Sequence, residues 1–203
     1  AETIGGPAFY ISKALKKARV NFSLIQIPEA QVEIKITGRT EKGRVIKRIP
    51  LQKINFSSIR TPAIIISTII DEVSLNRLDQ YKGKVFLDAQ GFVRDGTRFG
   101  RKKKWIVDEN VITKMYCLKA TTEEARYLPH TLVKVQKRKL LLLTDGEEGA
   151  TLFAYGKKYI LKPRKSLVVP HAIGAGDTFF AYFISNLLKT NSPYEAGLQA
   201  LNK

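Results

Sequence analysis

The sequence predicts an α/β fold in which a mostly parallel sheet is covered by helices on both faces. Four apolar runs have the length of buried strands, at 63–67, 85–88, 116–119 and 140–144. Helix-like stretches lie between several of them, at 73–81 and 122–128. Buried strands that alternate with helices indicate parallel pairing, because the crossover connections place helices on the faces of the sheet.

The strand-like runs tend to end in polar residues, which are Ser67, Asp88, Lys119 and Thr144. In open α/β sheets, ligands bind outside the carboxyl ends of the strands. The sequence therefore predicts a ligand site at that edge of the sheet.

The amino-terminal quarter of the chain predicts one helix and one hairpin. Residues 8–18 carry apolar side chains at helical spacing, and Pro7 suits the first turn of a helix. Residues 31–37 and 44–49 alternate apolar and polar side chains, and a turn at 38–43 separates them. This pattern predicts a half-exposed antiparallel hairpin.

A glycine-containing turn follows the most apolar strand. Thr144, Gly146 and Gly149 occupy this turn, and residues 150–155 and 158–160 predict a second hairpin after it. One interpretation is a tight turn, since Asp-Gly is a common turn signal. The other is that the hydroxyl and the two glycines let the backbone approach a nucleotide closely. Both interpretations can hold together.

Near the carboxyl end, Gly174-Ala175-Gly176-Asp177 opens an apolar stretch at 178–184. A small-residue turn that leads into a buried helix directs several backbone N–H groups at one spot, and the helix dipole favours an anion there. A phosphate site with an adjacent carboxylate is what phosphoryl transfer to a hydroxyl requires. Glycine and aspartate also begin helices for capping alone, so that alternative stays open. An aspartate at a helix start is expected to have a pKa near or below about 3.9.

Composition limits the class of protein. The chain has 203 residues, 44% of them hydrophobic, and a formal net charge of +17. This charge attracts polyanions, but the basic residues are dispersed and no aromatic residues interleave with them, which disfavours a nucleic-acid partner. The single Cys117 and the two histidines, His130 and His171, disfavour disulfide and zinc sites. Without a secretory signal or a membrane-spanning stretch, we expect a cytoplasmic protein with no membrane partner.

Taken together, the motifs resemble the ribokinase-like sugar kinases, the PfkB family. The family signature is Asp-Thr-x-Gly-Ala-Gly-Asp-x-Phe, and 171–179 reads His-Ala-Ile-Gly-Ala-Gly-Asp-Thr-Phe. Thr144-x-Gly146-x-x-Gly149 is similar to the family's nucleotide motif, and Gly5-Gly6 to the pair that opens its first helix. The stretch 118–125 aligns with the strand that carries Asn-x-x-Glu. The resemblance spans nearly the whole chain in the correct order.

The resemblance implies a three-layer αβα sandwich with a small β lid. Residues 1–203 would form a single kinase domain, and the hairpin within 29–50 would contribute to the lid. Members of the family often pair through their lids, which makes a homodimer an expected partner arrangement.

The resemblance also implies roles for the residues around the predicted anion site. Asp177 would accept the proton of the substrate hydroxyl. Backbone N–H groups of Gly174, Ala175 and Gly176 would hold the charge that develops on the transferred phosphoryl group. Glu124 would act on Mg²⁺ through water.

The substrate-binding roles fall on two other motifs. Thr144, Gly146 and Gly149 would border the phosphates and ribose of ATP, and Gly5 and Gly6 would face the acceptor. The implied activity is ATP-dependent phosphorylation of a hydroxyl of a sugar, nucleoside or related polyol. The alternatives are a ribokinase-fold protein that binds nucleotide or sugar with little or no catalysis, and a basic nucleic-acid-binding protein.

The chain departs from the family pattern at identifiable places. His171 and Ala172 stand where the signature has Asp-Thr, and Thr121 stands where the nucleotide-metal motif has Asn. The family's first strand would precede Ala1, and its adenine-contacting helices would follow Lys203.

A further segment, 90–94, is similar to a stretch in members that act on nucleosides or inositol-like polyols. Its Arg94 could reach a phosphate or a polar substrate. The alternative interpretation is a glycine turn with an exposed arginine.

Overall fold

A computed structural model describes residues 5–25, 27–28, 30–37, 40–97, 101–163 and 173–203. The helices are α1 Pro7–Lys17, α2 Gln90–Val93, α3 Glu109–Lys114, α4 His130–Arg138, α5 Ala175–Thr190 and α6 Pro193–Leu201. The strands are β1 Gln31–Thr37, β2 Thr40–Lys47, β3 Gln52–Lys53, β4 Ala63–Ile66, β5 Val73–Ser74, β6 Lys84–Asp88, β7 Met115–Thr121, β8 Leu140–Thr144, β9 Ala150–Ala154 and β10 Lys157–Leu161.

The central sheet has six strands in the order β10-β9-β8-β7-β6-β4. The four strands β4, β6, β7 and β8 are parallel, and they coincide with the four predicted apolar runs. The hairpin of β9 and β10 adds two antiparallel strands at one edge. The predicted mostly parallel sheet and the second hairpin are therefore confirmed.

Alternate side chains of the sheet pack against two different helix layers. On β8, Leu140 and Leu142 belong to the core that includes residues of α1, α5 and α6. Leu141, between them, belongs to the core that includes residues of α3 and α4. A fully apolar strand is expected where both faces are covered, because successive side chains point to opposite faces. The three-layer αβα sandwich is confirmed.

The prediction of a helix at 73–81 is wrong. Val73–Ser74 forms β5, which pairs in parallel with β3, and only Leu78–Gln80 forms a single 3₁₀ turn. Arg77 adopts the left-handed conformation (φ 62°), which interrupts a right-handed helix. Leu78 and Tyr81 are nevertheless fully buried, so these apolar side chains anchor a turn in the core instead of forming the buried face of a helix.

The helix predicted at 122–128 is reduced to one 3₁₀ turn, Glu124–Tyr127. Leu128 is extended (ψ 146°) and precedes Pro129. A residue before proline disfavours the helical conformation, because the proline ring crowds its backbone. This explains why the helix ends after one turn.

The amino-terminal helix and hairpin are confirmed as α1 and as β1 with β2. The two strands form their own antiparallel sheet, with Gln31 paired to Lys47 and Thr37 to Thr40. The turn is shorter than predicted because β2 begins at Thr40; residues 38–39 lie outside the described part. Arg44 and Glu33 form an ion pair of 2.6 Å across the hairpin. The assignment of this hairpin as a lid stays a prediction.

In the part of the chain that the structure describes, none of the helices combines the length and the apolar character needed to cross a membrane.

Cys117 is expected to resist thiol reagents in the folded protein. Its side chain is fully buried in β7, and burial raises the pKa of the thiol because the thiolate would lose its hydration. Titration with an aromatic disulfide that releases a coloured thiolate should detect no reaction in native buffer and one thiol per chain in concentrated guanidinium chloride. Free cysteine serves as the control, and rapid labelling of the native protein would contradict the burial.

Candidate functional site

The amino-terminal end of α5 carries the predicted anion site. Gly174 is left-handed (φ 76°), and the Thr178 N–H donates to the Gly174 carbonyl at 2.9 Å. The N–H groups of Ala175, Gly176 and Asp177 lie in the first turn, where a helix offers no backbone acceptor. Among the described residues, no side chain caps this end. These donors and the helix dipole can therefore act on an anion.

Tyr10 of α1 connects this turn with the predicted acceptor glycines. A methyl group on Gly174 would lie 2.3 to 2.4 Å from three ring carbons of Tyr10, so only glycine fits beneath the ring. A methyl group on Gly5 would lie 3.9 Å from the Tyr10 hydroxyl. Gly6 is left-handed (φ 87°) and lies next to Ile69, which follows β4. The structure thus brings Gly5 and Gly6 close to the start of α5.

A buried ion pair lies beside the same helix start. Asp88, the last residue of β6, is the register partner of Lys119 in β7. The Lys119 Nζ donates to Asp88 Oδ2 at 2.8 Å, and the two side chains are 3% and 0% exposed. The Ser67 hydroxyl donates to the same oxygen at 3.2 Å, and the Gln90 N–H donates to Oδ1 at 3.1 Å. A methyl group on Gly176 would lie 3.2 Å from Lys119 Nζ, so the ion pair adjoins the first turn of α5.

Asp177 is buried within this cluster, and its Oδ1 makes no hydrogen bond to the described residues. The pKa of Asp177 is raised to about 6, above all by burial; the charge of Lys119 opposes this increase, the neighbouring Asp88 adds to it, and Arg94 opposes it weakly. The expected pKa near or below about 3.9 is therefore wrong, because loss of hydration outweighs the helix dipole. A carboxylate with this pKa is a stronger base near neutral pH than an exposed aspartate.

Arg94 lies at the edge of this cluster. Its side chain is half-buried, and Nη1 donates to the Ile69 carbonyl at 3.1 Å. Residues 90–93 form α2, in which Gly91 packs against Thr68 so closely that a methyl group would lie 2.0 Å from the Thr68 hydroxyl. The interpretation of a glycine turn with an exposed arginine is wrong.

Glu124 and Thr121 hold each other at the end of β7. The Thr121 N–H donates to Glu124 Oε2 at 2.8 Å, and the Glu124 N–H donates to the Thr121 hydroxyl at 3.1 Å. This reciprocal arrangement is that of a capping box, in which Thr and Glu three residues apart satisfy each other's backbone. Thr121 thus orients the Glu124 carboxylate through its backbone N–H, while its hydroxyl accepts from the Glu124 backbone.

The predicted nucleotide turn contains two glycines with different surroundings. Thr144 at the end of β8 pairs with Thr121, next to the cluster. A methyl group on Gly149 (φ 96°) would lie 2.2 Å from the Leu161 carbonyl oxygen, so packing within the fold explains this glycine. No atom of the described residues lies within 4 Å of the corresponding position on Gly146 (φ 54°). Packing against the described part of the chain therefore does not explain this glycine.

Asp88 and Lys119 are the site residues that sequence reasoning missed. Both were noted as polar ends of apolar runs, but nothing in the sequence alone pairs them with each other or with Asp177. His171 and Ala172, the departures from the family signature, lie outside the described residues. Within the described part of the chain, no group of three or more His, Cys, Asp or Glu side chains could hold a metal ion on its own.

A cavity of about 260 Å³ lies at the amino-terminal ends of β6, β7 and β8, at the opposite end of these strands from the polar cluster. Its lining includes Lys84, Lys114, Arg138 and Lys139 and none of the predicted site residues. The candidate site is therefore the polar cluster at the carboxyl ends of the strands and not this cavity.

Comparison with known protein families finds one match over nearly half of the chain. Residues 108–202 match the profile of the pfkB family carbohydrate kinases. This stretch contains β7, the glycine-containing turn at 146–149 and the start of α5. No curated protein sequence matches the chain.

Solved structures share the fold. A pyrophosphate-dependent kinase in the ribokinase family, complexed with a pyrophosphate analog and myo-inositol, has a TM-score of 0.64 at 22% identity, over 79% of this chain and 63% of that one. Ribokinase from Thermotoga maritima has a TM-score of 0.62 at 15% identity, over 96% and 68%. The nucleoside kinase of Methanocaldococcus jannaschii has a TM-score of 0.61 at 16% identity, over 94% and 66%. The chain spans less than two thirds of the first of these relatives.

Proposed function

Because residues 108–202 match the profile of the pfkB family carbohydrate kinases and the chain has the ribokinase fold, we propose that the protein is an ATP-dependent kinase. The acceptor is a hydroxyl of a sugar, a nucleoside or a related polyol. The observation that carries the proposal is the position of Asp177, which is buried in the first turn of α5 beside backbone N–H groups without helical acceptors.

In the proposed step, the acceptor oxygen forms a bond to the γ-phosphorus while the bond from that phosphorus to the bridging oxygen of ATP breaks. The proton of the acceptor hydroxyl passes to Asp177. The N–H groups of Gly174, Ala175 and Gly176 stabilise the charge on the phosphoryl oxygens. Since the hydroxyl loses its proton late in a loose transition state, the position of Asp177 counts as much as its basicity.

The donor lies along the carboxyl ends of β7 and β8. The space beside Gly146 accommodates the nucleotide phosphates, with Thr144 at their border. Glu124 suits a water-mediated Mg²⁺ contact, because Thr121 orients its carboxylate and Mg²⁺ usually keeps several waters beside only one or two carboxylates. Mg²⁺ supplies positive charge to the phosphates when it is bound.

The acceptor lies between α1 and α2. Gly5 leaves room for it next to Tyr10, Gly6 lies against Ile69, and Arg94 offers a charged donor to a polar acceptor or to phosphate. The hairpin of β1 and β2 acts as the lid that excludes water, which would otherwise compete as acceptor. Pairing of two chains through these hairpins would give a homodimer.

The test is an assay of the chain with Mg²⁺, one donor and one acceptor at a time. ATP and pyrophosphate are the donors, since one structural neighbour is pyrophosphate-dependent. Ribose, adenosine and myo-inositol are the first acceptors, and phosphorus NMR detects the product ester. A new ester formed only with ATP supports the proposal. If ATP raises the melting temperature but no acceptor gains phosphate, the protein binds nucleotide without catalysis.

A further inference from the structure

We infer that Lys119 is a catalytic residue that contacts the phosphoryl group under transfer, and that Asp88 is the residue that positions it. This inference rests on the proposed function and extends it, since the roles assigned above to the start of α5 use backbone N–H groups and Asp177 alone. Both residues come from neighbouring parallel strands and meet at the end of the sheet where α5 begins.

The position of the ammonium group is the first argument. Lys119 Nζ lies 3.2 Å from the point that a methyl group on Gly176 would occupy, so it adjoins the turn whose N–H groups face the predicted phosphate. Asp177 follows Gly176 in the same turn and is buried there; burial lowers the pKa of Lys119, but the charges of Asp88 and Asp177 raise it overall. One small volume thus contains the base, the helix start and a fixed cation.

The second argument is electrostatic. A helix start carries partial positive charge, so the ammonium group of Lys119 beside it is repelled, and the charge of Asp177 offsets only part of this repulsion. Local conflicts of this kind are expected at functional sites. An anion bound between the helix start and the Lys119 ammonium group would remove the repulsion between them. Oδ1 of Asp177, whose side chain is more than nine-tenths buried in the same turn, has no hydrogen-bond partner among the described residues.

The third argument is the donor capacity of the ammonium group. Lys119 has three donors, and its contacts with the described residues use one of them, on Asp88. Asp88 is held in turn by the Ser67 hydroxyl and the Gln90 N–H. The ammonium group is therefore fixed in place, with donors left for phosphoryl oxygens.

The experiment measures pyrophosphate binding by calorimetry, which needs no turnover, and phosphoryl transfer separately. Lys119→Met should weaken pyrophosphate binding about ten- to a hundredfold, the usual loss for one charge-assisted hydrogen bond, and lower kcat about a hundredfold or more. Lys134→Met removes an exposed lysine of α4 and should match the wild type. If Lys119→Met fails to fold because Asp88 is left unpaired, Asp88→Asn/Lys119→Met replaces the ion pair by a neutral pair.

Two further measurements distinguish a direct contact between Lys119 and the phosphoryl group from a purely structural role of the ion pair. Lys119→Ala should recover activity with propylamine, which replaces the missing ammonium group, and not with propanol. Asp88→Asn should lower kcat in the wild type and have little further effect in Lys119→Met, because a positioning residue acts only through its partner.

The outcomes distinguish this inference from the proposed function. Binding that weakens in both Lys119→Met variants supports a contact between Lys119 and phosphate, even if no acceptor is phosphorylated and the kinase proposal fails. Pyrophosphate binding that is absent from the wild type, or equal in the wild type and these variants, overturns the inference even if the wild type is an active kinase.

Discussion

Asp177→Asn is expected to lower phosphoryl transfer by about two to four orders of magnitude, the usual contribution of a general base. Asparagine keeps the size of the side chain but cannot accept the proton of the acceptor hydroxyl. The wild-type rate should also rise with pH through about 6 and level off above it, because Asp177 must be ionised to act as base. The measurements are kcat for the wild type and the variant and, for the pH dependence, kcat/KM of the wild type between pH 5 and pH 8, because kcat/KM reports the pKa of the free enzyme.

The same substitution is expected to stabilise the folded protein above pH 6. The pKa of Asp177 is raised from 3.8 to about 6, so the folded state holds the proton more tightly than the unfolded state does. The stability linked to that proton is fully present below about pH 4 and is lost as the pH rises through about 6. This difference corresponds to at most about 3 kcal/mol of unfolding free energy.

Urea denaturation at pH 4 and pH 8 tests this second effect. The advantage of Asp177→Asn over the wild type should appear at pH 8 and shrink at pH 4. Asp79→Asn, which neutralises an exposed carboxylate, is the control and should change neither activity nor stability appreciably. A variant that keeps wild-type turnover would remove Asp177 from the proposed mechanism. An advantage independent of pH would contradict the raised pKa.

Gly149→Ala is expected to destabilise the protein by roughly 2 to 5 kcal/mol. The added methyl group would lie 2.2 Å from the Leu161 carbonyl oxygen, a backbone atom that cannot move without disturbing β10. Overpacking of this kind costs about 1–3 kcal/mol, and the left-handed backbone of Gly149 adds roughly 1–2 kcal/mol for any residue with a side chain. The measurement is the free energy of unfolding in urea, followed by fluorescence.

Gly146→Ala is the matched control within the same turn. Gly146 is also left-handed, but no atom of the described residues lies within 4 Å of the added methyl group, so the expected cost is that of the backbone, roughly 1–2 kcal/mol. If the proposed nucleotide site is correct, this variant should lose more free energy of ATP binding than free energy of unfolding. Equal destabilisation by the two substitutions would contradict the close packing of Gly149 on Leu161.

The parts of the fold that depend on local patterns were predicted from the sequence. The four parallel strands, α1 and both hairpins follow from apolar periodicity and turn residues, which act over a few neighbouring positions. The stretch at 73–81 shows the limit of this reasoning. Its apolar spacing suits a helix, but Arg77 breaks the helical conformation, and Leu78 and Tyr81 are buried as part of a turn.

The candidate site also contains residues that the local sequence locates and residues that only the tertiary structure brings together. The glycine turn and Asp177 at the start of α5 could be located from the sequence, because a helix start with small residues has a local signature. Asp88 and Lys119 could be noted only as polar strand ends. Their ion pair depends on the register between β6 and β7, which no short segment of sequence contains.

The sequence by itself determined the α/β architecture and the placement of one carboxylate at a helix start. Only the tertiary structure decided the chemical state of that carboxylate. A helix start alone would lower the pKa of Asp177, but the packing of α5 on the sheet removes its water and brings Asp88 beside it, and the pKa rises to about 6. Loss of hydration and repulsion by Asp88 depend on residues that are distant in the chain, and together they exceed the effect of the local helix dipole.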